Sequence, residues 1–408
     1  MNRDQLLATH KKVTQISIGR FHHFHLARQL EKFGLLKEIW TGYPRFKLKS
    51  EAGIPPEKIQ TYPWLQTPYM ARGRLGFNMP AAVVREWEWL ARVTLDAHVS
   101  RRLEPGGTLI ALSGSGLRSG TWIKENGGRY FCDRGSSHIR FQDQILREEF
   151  ARWKAPFAGI DPRVIAQEEA EYEMADSVSV PSGFVADSFV RMGYPREKLF
   201  LNPYGARLER FHRVAAPEPS GFTIVFVGQA GLRKGFLYLL QAFAQLSHPR
   251  KKLKVIGSVA PEIQHLLAGH DLSQVEFAGT VPNEQLLQHY SSAHVMVLPS
   301  IEEGLAMVIG EALACGCPVV ASENTGGRDF FSDGVEGFIV PPRDVDALVQ
   351  RLEALMQDEP LRQRMSEAAL RRVAEIGGWD AYGARWAERL QNANTLSPTL
   401  MPITNIVQ

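Results

Sequence analysis

Cysteine is scarce: Cys132, Cys315 and Cys317 are the three cysteines among 408 residues. They cannot build a disulfide framework, and their spacing lacks the four-ligand pattern of a structural zinc site. Long apolar runs are missing as well. No stretch approaches the ~18–20 apolar residues of a membrane-spanning helix, and Met1 to Lys12 is polar where a signal peptide has its apolar core. Neither sign of charge dominates: 47 Lys+Arg face 44 Asp+Glu, a net charge of +3, which argues against a nucleic-acid partner. These absences predict a soluble, cytoplasmic protein. Hydrophobic residues make up 44% and charged residues 22%, so a disordered or fibrous chain is excluded, and the length suggests two or three domains.

What is present is unevenly arranged. Residues 1–205 carry 29 basic and 22 acidic side chains, and the remainder carries 18 and 22. A basic front half and an acidic back half suggest two domains with different partners. The front half opens with an expected strand, Val13 to Gly19, and an amphipathic helix from Phe24 to Phe33 closed by Gly34. Further strands are expected at Thr108–Gly114, Arg129–Asp133, Ser177–Ser182 and Leu199–Gly205, with helices over 140–153 and 163–175. Residues 44–92 fit the alternation less well and read as loop plus helix. The run from Ala215 to Gly221 reads as a linker. Beyond it the alternation restarts, with strands at Thr223–Gly228, Leu253–Gly257, Val275–Gly279, Val295–Pro299 and Pro318–Ala321. The helices between them are expected at Phe236–Leu246, Asn283–Tyr290 and Leu305–Ala314. Short apolar strands alternating with helices predict an α/β fold of parallel βαβ units, with its binding crevice at the strand ends.

Three constellations sit at such strand ends. Ser300 to Leu313 contains Glu303 and, eight positions later, Glu311. Along a helix those carboxylates lie on the order of 10 Å apart, which suits two ends of an extended ligand better than one shared proton. Gly304 permits close backbone approach, and the N–H groups of Gly304, Leu305 and Ala306 would be free to hold an anion. Glu303 serving the helix dipole and Glu311 serving solvent is the plainer alternative. Gly228 to Gly235 pairs a glycine turn with Arg233 and Lys234, two cations able to neutralise a diphosphate. Its spacing is neither a P-loop nor GxGxxG, and solvated cations at a helix start remain the alternative. Asn324 to Asp329 holds a Gly-Gly turn that either walls a crevice or is a surface turn.

In order and spacing these motifs resemble the family 4 retaining glycosyltransferases of GT-B fold. The resemblance rests on Val227-Gly228, Lys234-Gly235, Gly279, Pro299-Ser300, Glu303-Gly304, Glu311-Ala312, Gly316, Pro318 to Ala321, Gly326-Gly327, Asp333-Gly334, Gly337, Pro341 and Asp344. It is dense over about 223–350 and weaker upstream, through Val180 to Phe184 and Asn202 to Gly205. It implies two Rossmann-like domains facing a cleft, with 1–205 on the acceptor side, 206–221 as linker and 222–380 on the donor side. A helix over 381–394 would cross back, followed by a mobile tail, 395–408. It implies transfer of a hexose from a nucleotide diphosphate sugar to a saccharide or lipid-linked saccharide, with retention and without cofactor or essential metal. The setting would be the biosynthesis of a glycan or polysaccharide. Lys234 would contact donor phosphates, Glu311 the ribose and Glu303 the sugar, with Gly228 and the backbone of 304–306 completing the donor site. The family commonly has Arg where Gln229 stands, and Arg233 is the nearest replacement. No protein nucleophile is needed if the acceptor enters on the leaving-group face, because the departing phosphate can take its proton.

The histidines leave more open. His138, after Asp133 and Arg134, is matched to the family's histidine that contacts the donor sugar, giving His138 and Glu303 as the catalytic pair; a helix cap is the alternative. Asp133 and Arg134 could form a local ion pair. Gly19, Arg20 and His22 stand where the family's first loop approaches the acceptor. His22 and His25, spaced i, i+3, also allow a metal reading that lacks a nearby Cys or acidic partner in sequence. Tyr62, Trp64, Tyr69, Phe77, Trp87 and Trp89 mix with Arg72, Arg74, Arg85 and Arg92. Either they touch an anionic membrane at its inner face, or the aromatics are core. Two rival functions share the architecture: a nucleotide-sugar epimerase and a non-catalytic nucleotide-sugar-binding scaffold.

Overall fold

The computed structural model describes residues 12–49, 51–73, 79–205 and 210–392. The expected tail at 395–408, part of the linker, Arg74 and Phe77 lie outside them. Two parallel sheets organise the chain. The first has seven strands: β1 (Val13–Ser17), β2 (Leu36–Thr41), β3 (Ile59–Thr61), β4 (Thr108–Leu112), β5 (Arg129–Asp133), β6 (Ser177–Val180) and β7 (Leu199–Leu201). Their spatial order is β3-β2-β1-β4-β5-β6-β7. The second has six: β8 (Phe222–Val227), β9 (Lys251–Ile256), β10 (Val275–Gly279), β11 (Val295–Leu298), β12 (Val319–Ser322) and β13 (Gly337–Val340), in the order β10-β9-β8-β11-β12-β13. These are two Rossmann-like domains, and their arrangement is the GT-B fold.

The strands form where the residues demand burial on both faces. Phe-Thr-Ile-Val-Phe-Val in β8 and Val-Met-Val-Leu in β11 are nearly or wholly buried, as strands covered by helices on two sides must be. The helix Phe236–Gln245 is apolar almost all round and buries seven of its ten residues. By contrast, the helix His23–Lys32 buries one stripe that includes Phe24, Leu26, Ala27 and Leu30.

Expected ends shift inward where strands pass into loops: β1 stops at Ser17 and β7 at Leu201. Strands β2, β3 and β13 are additions to the sequence expectation. Residues 44–92 contribute β3 and part of a long helix, Ala81–Ser100. Three-residue β3, Ile-Gln-Thr, has a single apolar residue and cannot show an alternation.

In each sheet the strand order reverses beside the first strand, between β1 and β4 and between β8 and β11. Loops leaving neighbouring strands there diverge and open a crevice. The loops of interest, 18–22, 113–116, 228–235 and 299–306, all leave these four strands.

The last helix, Trp379–Asn392, returns to the first sheet. Trp386, Tyr382 and Leu390 join Phe24, Leu30, Ile39 and Phe131 in one core. Gln29 and Lys32 both donate to Asp380, and Arg385 donates to Asn202 at 2.6 Å. The first domain therefore borrows part of its core from the end of the chain. Trp386→Ala should cost about 3–5 kcal/mol of stability, read as a lower urea midpoint, with the first domain losing protection from hydrogen exchange before the second.

Candidate functional site

The loop after β8 and the loop after β11 are locked together before either meets a ligand. Gly235 has φ 65°, and a Cβ there would lie 2.0 Å from the Pro299 carbonyl oxygen. The Ile301 N–H donates to the Arg233 carbonyl at 2.8 Å. This contact brings a pair of adjacent cations, Arg233-Lys234, against a pair of adjacent anions, Glu302-Glu303. Lys234 Nζ pairs with Glu303 Oε1. Arg233 Nε donates to Glu302 Oε2 at 2.9 Å, and its Nη2 lies 3.7 Å from Glu303 Oε2.

Glu302 has no exposed surface. Besides Arg233, it accepts from the Ser136 hydroxyl at 2.7 Å, the Ser137 hydroxyl at 2.7 Å, the Ser137 N–H at 3.1 Å and Gln142 Nε2 at 3.0 Å. All four of those donors belong to the first domain. Burial alone would raise its carboxyl; the Arg233 charge and these hydrogen bonds outweigh burial and hold it at about 2. Sequence reasoning passed over Glu302. The available signal was a Glu-Glu doublet at one strand end matching an Arg-Lys doublet at another.

Gly304 is needed at the same junction. A Cβ on it would sit 1.8 Å from the Gly135 carbonyl oxygen of the first domain. The close approach expected of a ligand is thus made by the other domain's backbone. Ser182 Oγ donates to the Gly304 carbonyl at 2.6 Å, and the Gly183 N–H donates to Asp329 at 3.0 Å. The turn at Asn324–Asp329 therefore walls this junction. Ala306 departs from the expected free N–H groups: it donates to the Thr325 carbonyl at 3.0 Å, and the helix starts at Met307. Leu305 and Ala306 pack into the second domain's core.

A cavity of about 1040 Å³ lies on the first domain's side of the junction. Phe21, His22, Ser113, Arg134, Gly135, Ser136 and Tyr204 line it from the strand ends, Arg85, Trp89 and Arg92 from the long helix, and Arg233 from the second domain. His22 Nε2 meets Asp133 Oδ2 at 2.7 Å, and its ring packs 4.3 Å from that of Tyr204. Asp133 and Arg134 do not pair with each other; Arg134 is bound to Glu168 at 2.7 Å. A second cavity, of about 760 Å³, is lined by Arg20, Phe21, Arg28, Tyr43, Arg210, Asn283, Met307, Glu311 and Trp379. Glu311 accepts from the Tyr290 hydroxyl at 3.1 Å, and burial raises its carboxyl above the usual range. Arg20 pairs with Glu51.

The structure places His138, Gly19 and Gly228 outside the lining of both cavities, whereas His25 borders the second. His138 is the N-cap of the helix Ile139–Arg152: its Nδ1 accepts the Arg140 N–H at 3.2 Å, and its ring packs on Tyr172 and Phe189. It lines a small depression with Glu169 and Glu173, neither of which borders the two cleft cavities. The imidazole is thus the helix cap that the sequence offered as the alternative to a donor-sugar contact. Burial lowers its pKa to about 4. Gly19 is buried, and its carbonyl accepts the Ser17 hydroxyl at 2.9 Å. Gly228 adopts φ 137° beside Lys234, and exposed Gln229 approaches Ser258. His25 stacks on Trp379 instead of joining His22. Among the described residues, the metal-capable atoms that converge belong to His22, His23 and Asp133, within 4.8 Å of one another.

Residues 209–372 match the profile of the family described as glycosyl transferases group 1. The chain is 29% identical over 251 residues to the sulfoquinovosyl transferase SQD2 of Arabidopsis thaliana, covering 56% of this chain but 48% of that protein. It is 28% identical over 380 residues to a D-inositol 3-phosphate glycosyltransferase of Kribbella flavida, covering 87% and 86%. Among solved structures, the sucrose-phosphate synthase of Thermosynechococcus elongatus superposes with a TM-score of 0.71 at 22% identity, covering 95% of this chain and all of the other.

Two outcomes are expected. Gly304→Ala should force the domains apart at Gly135, costing about 1–3 kcal/mol and lowering both the unfolding midpoint and turnover. Acid should also destabilise the fold. Burial lowers His138 to about 4 and His23 to about 3, so the unfolded chain binds protons that the folded chain refuses. Their stabilisation is complete above the unfolded value near 6.5 and falls as pH drops toward the folded values. A loss on the order of 1 kcal/mol per histidine is expected by about pH 5.5, seen as a declining midpoint in thermal melts from pH 7 to 5.

Proposed function

We propose that this chain, whose residues 209–372 match the glycosyl transferases group 1 and whose fold is GT-B, transfers a hexose from a nucleotide diphosphate sugar to a saccharide or lipid-linked saccharide, with retention, in glycan or polysaccharide biosynthesis. The observation that carries this reading is the meeting of Arg233, Lys234 and Glu303 at the strand-order reversal, with Arg233 lining the larger cavity. In this reading the cavity walled by Glu311 takes the nucleoside, with the Glu311 carboxylate accepting from ribose hydroxyls. The larger cavity takes the acceptor, close to His22, while Arg20, expected on the acceptor side, lines the smaller one.

The chemistry follows from charge. Cleaving the bond between sugar and phosphate builds positive charge on the anomeric carbon and negative charge on the departing diphosphate. Lys234 and Arg233 are held near one another by carboxylates, so an arriving diphosphate exchanges with groups already in place instead of ordering free side chains. Two fixed cations supply the neutralisation that other sites draw from a metal ion, and the pyrophosphate oxygen takes the acceptor's proton. Glu303, released from Lys234 by the donor, is free to accept from sugar hydroxyls. A lipid-linked acceptor is supported by the exposed Phe46, Trp64 and Met70, which are 63%, 73% and 54% exposed on the acceptor-side domain.

The test is a thermal-shift panel with UDP, GDP, ADP, CMP and their sugar derivatives. At ligand near 100 times its dissociation constant the stabilisation is about 2.7 kcal/mol, a shift of roughly 2–4 °C for a chain of this size. One base should respond. Glu311→Ala and Lys234→Ala should each lose tenfold or more in donor affinity or turnover, about 1.4 kcal/mol per decade. Unchanged kinetics in both would remove the site assignment. Conversion of the donor with no acceptor present would instead favour the epimerase.

A further inference from the structure

The donor reading leaves one question about Arg233. A cation that is to hold a diphosphate needs a fixed direction, yet a guanidinium on a long side chain at a loop end has many rotamers. What limits them here is Glu302, which takes the Nε edge at 2.9 Å, while Nη2 lies 3.7 Å from Glu303 Oε2 and the residue lines the larger cavity. The same carboxylate is held from the opposite side by Ser136, Ser137 and Gln142 of the other domain. Of its five hydrogen bonds, four cross the domain boundary and one reaches the cation. A carboxylate of this kind is expensive to bury and is retained only where its full set of donors is assembled.

Resting on the proposed donor site, we infer that Glu302 is a positioning residue. It aims Arg233 at the donor diphosphate, and it does so in register with the first domain, because one carboxylate serves both. Arg233 then stands in for the cation missing at Gln229 only while the 136–142 segment is docked. A purely structural Glu302 would affect stability and all ligands equally. A positioning Glu302 acts on the diphosphate in particular.

The experiment measures the affinity of the full chain for the nucleoside diphosphate to which it responds, among UDP, GDP and ADP, and for the matching monophosphate. Glu302→Gln keeps the size and an oxygen for the serines but turns an N–H toward Arg233 or Gln142. It should weaken the diphosphate at least tenfold and the monophosphate no more than threefold. Arg233→Ala should give a similar loss, and the double variant should be no weaker than Arg233→Ala within twofold, since both changes remove one device. Ser136→Ala with Ser137→Ala, which leaves both charges in place, should weaken the diphosphate at least threefold; this variant carries the test if Glu302→Gln does not fold. Equal losses for mono- and diphosphate, additive losses in the double variant, or unchanged diphosphate affinity in the serine variant overturn the inference. If Lys234→Ala loses the diphosphate while Glu302→Gln does not, Glu302 has no such role and the donor site stands. If no nucleotide binds the wild-type chain, the donor site and this inference fall together.

Discussion

A buried carboxylate at the domain boundary is the constraint on which the rest of the cleft depends. Glu302 must have its donors, because an ionised group cut off from water is tolerable only when paired and hydrogen-bonded. Those donors come from two domains that share no strand. Satisfying Glu302 therefore fixes how the loop after β11, the loop after β8 and the 134–142 segment lie against one another. Gly304 makes the same demand sterically, since its α-carbon approaches the Gly135 carbonyl too closely for any side chain. A second bridge reinforces it further out: Glu149 of the first domain, also without exposed surface, accepts from the Tyr238 hydroxyl at 2.9 Å and Arg343 Nε at 2.7 Å in the second.

This arrangement explains why the site's charges are paired. Lys234, Arg233, Glu302 and Glu303 form one alternating cluster. Left alone, the cations would repel one another and wander. Held by carboxylates, they are fixed beside one another without any ligand. On the other side of the boundary, His22 is oriented by buried Asp133 and packed against Tyr204. Its ring faces the cavity in one direction, through a contact made across 111 residues of sequence.

The cavities arise from topology. Both sheets reverse strand order beside their first strand, so the loops that part there open onto the cleft. The last helix packs Trp386 and Tyr382 into the first domain, so a chain that passes once through the second domain is tied back to the first. Relative motion of the two domains must work against that tie.

The sequence by itself determined the fold class, the strands around the motifs, and the resemblance carried by 223–350. Continuous apolar runs such as 222–227 have few alternatives to a buried parallel strand, and Glu303, Glu311, Lys234 and Gly304 carry a spacing that is local in the chain. Short edge strands such as β3 escaped because three residues hold too little pattern. His138 was legible as a residue at a loop and helix boundary, but a cap and a ligand contact look alike in one dimension; the difference lies in Tyr172 and Phe189, which only packing brings to its ring. The role of Glu302, the separation of Arg20 and His22 into different cavities, and the use of Gly304 against Gly135 were decided by tertiary structure alone. Each depends on groups more than a hundred residues away or on another strand's loop, and the energy of such contacts is set by distance and burial, which residue order does not encode locally.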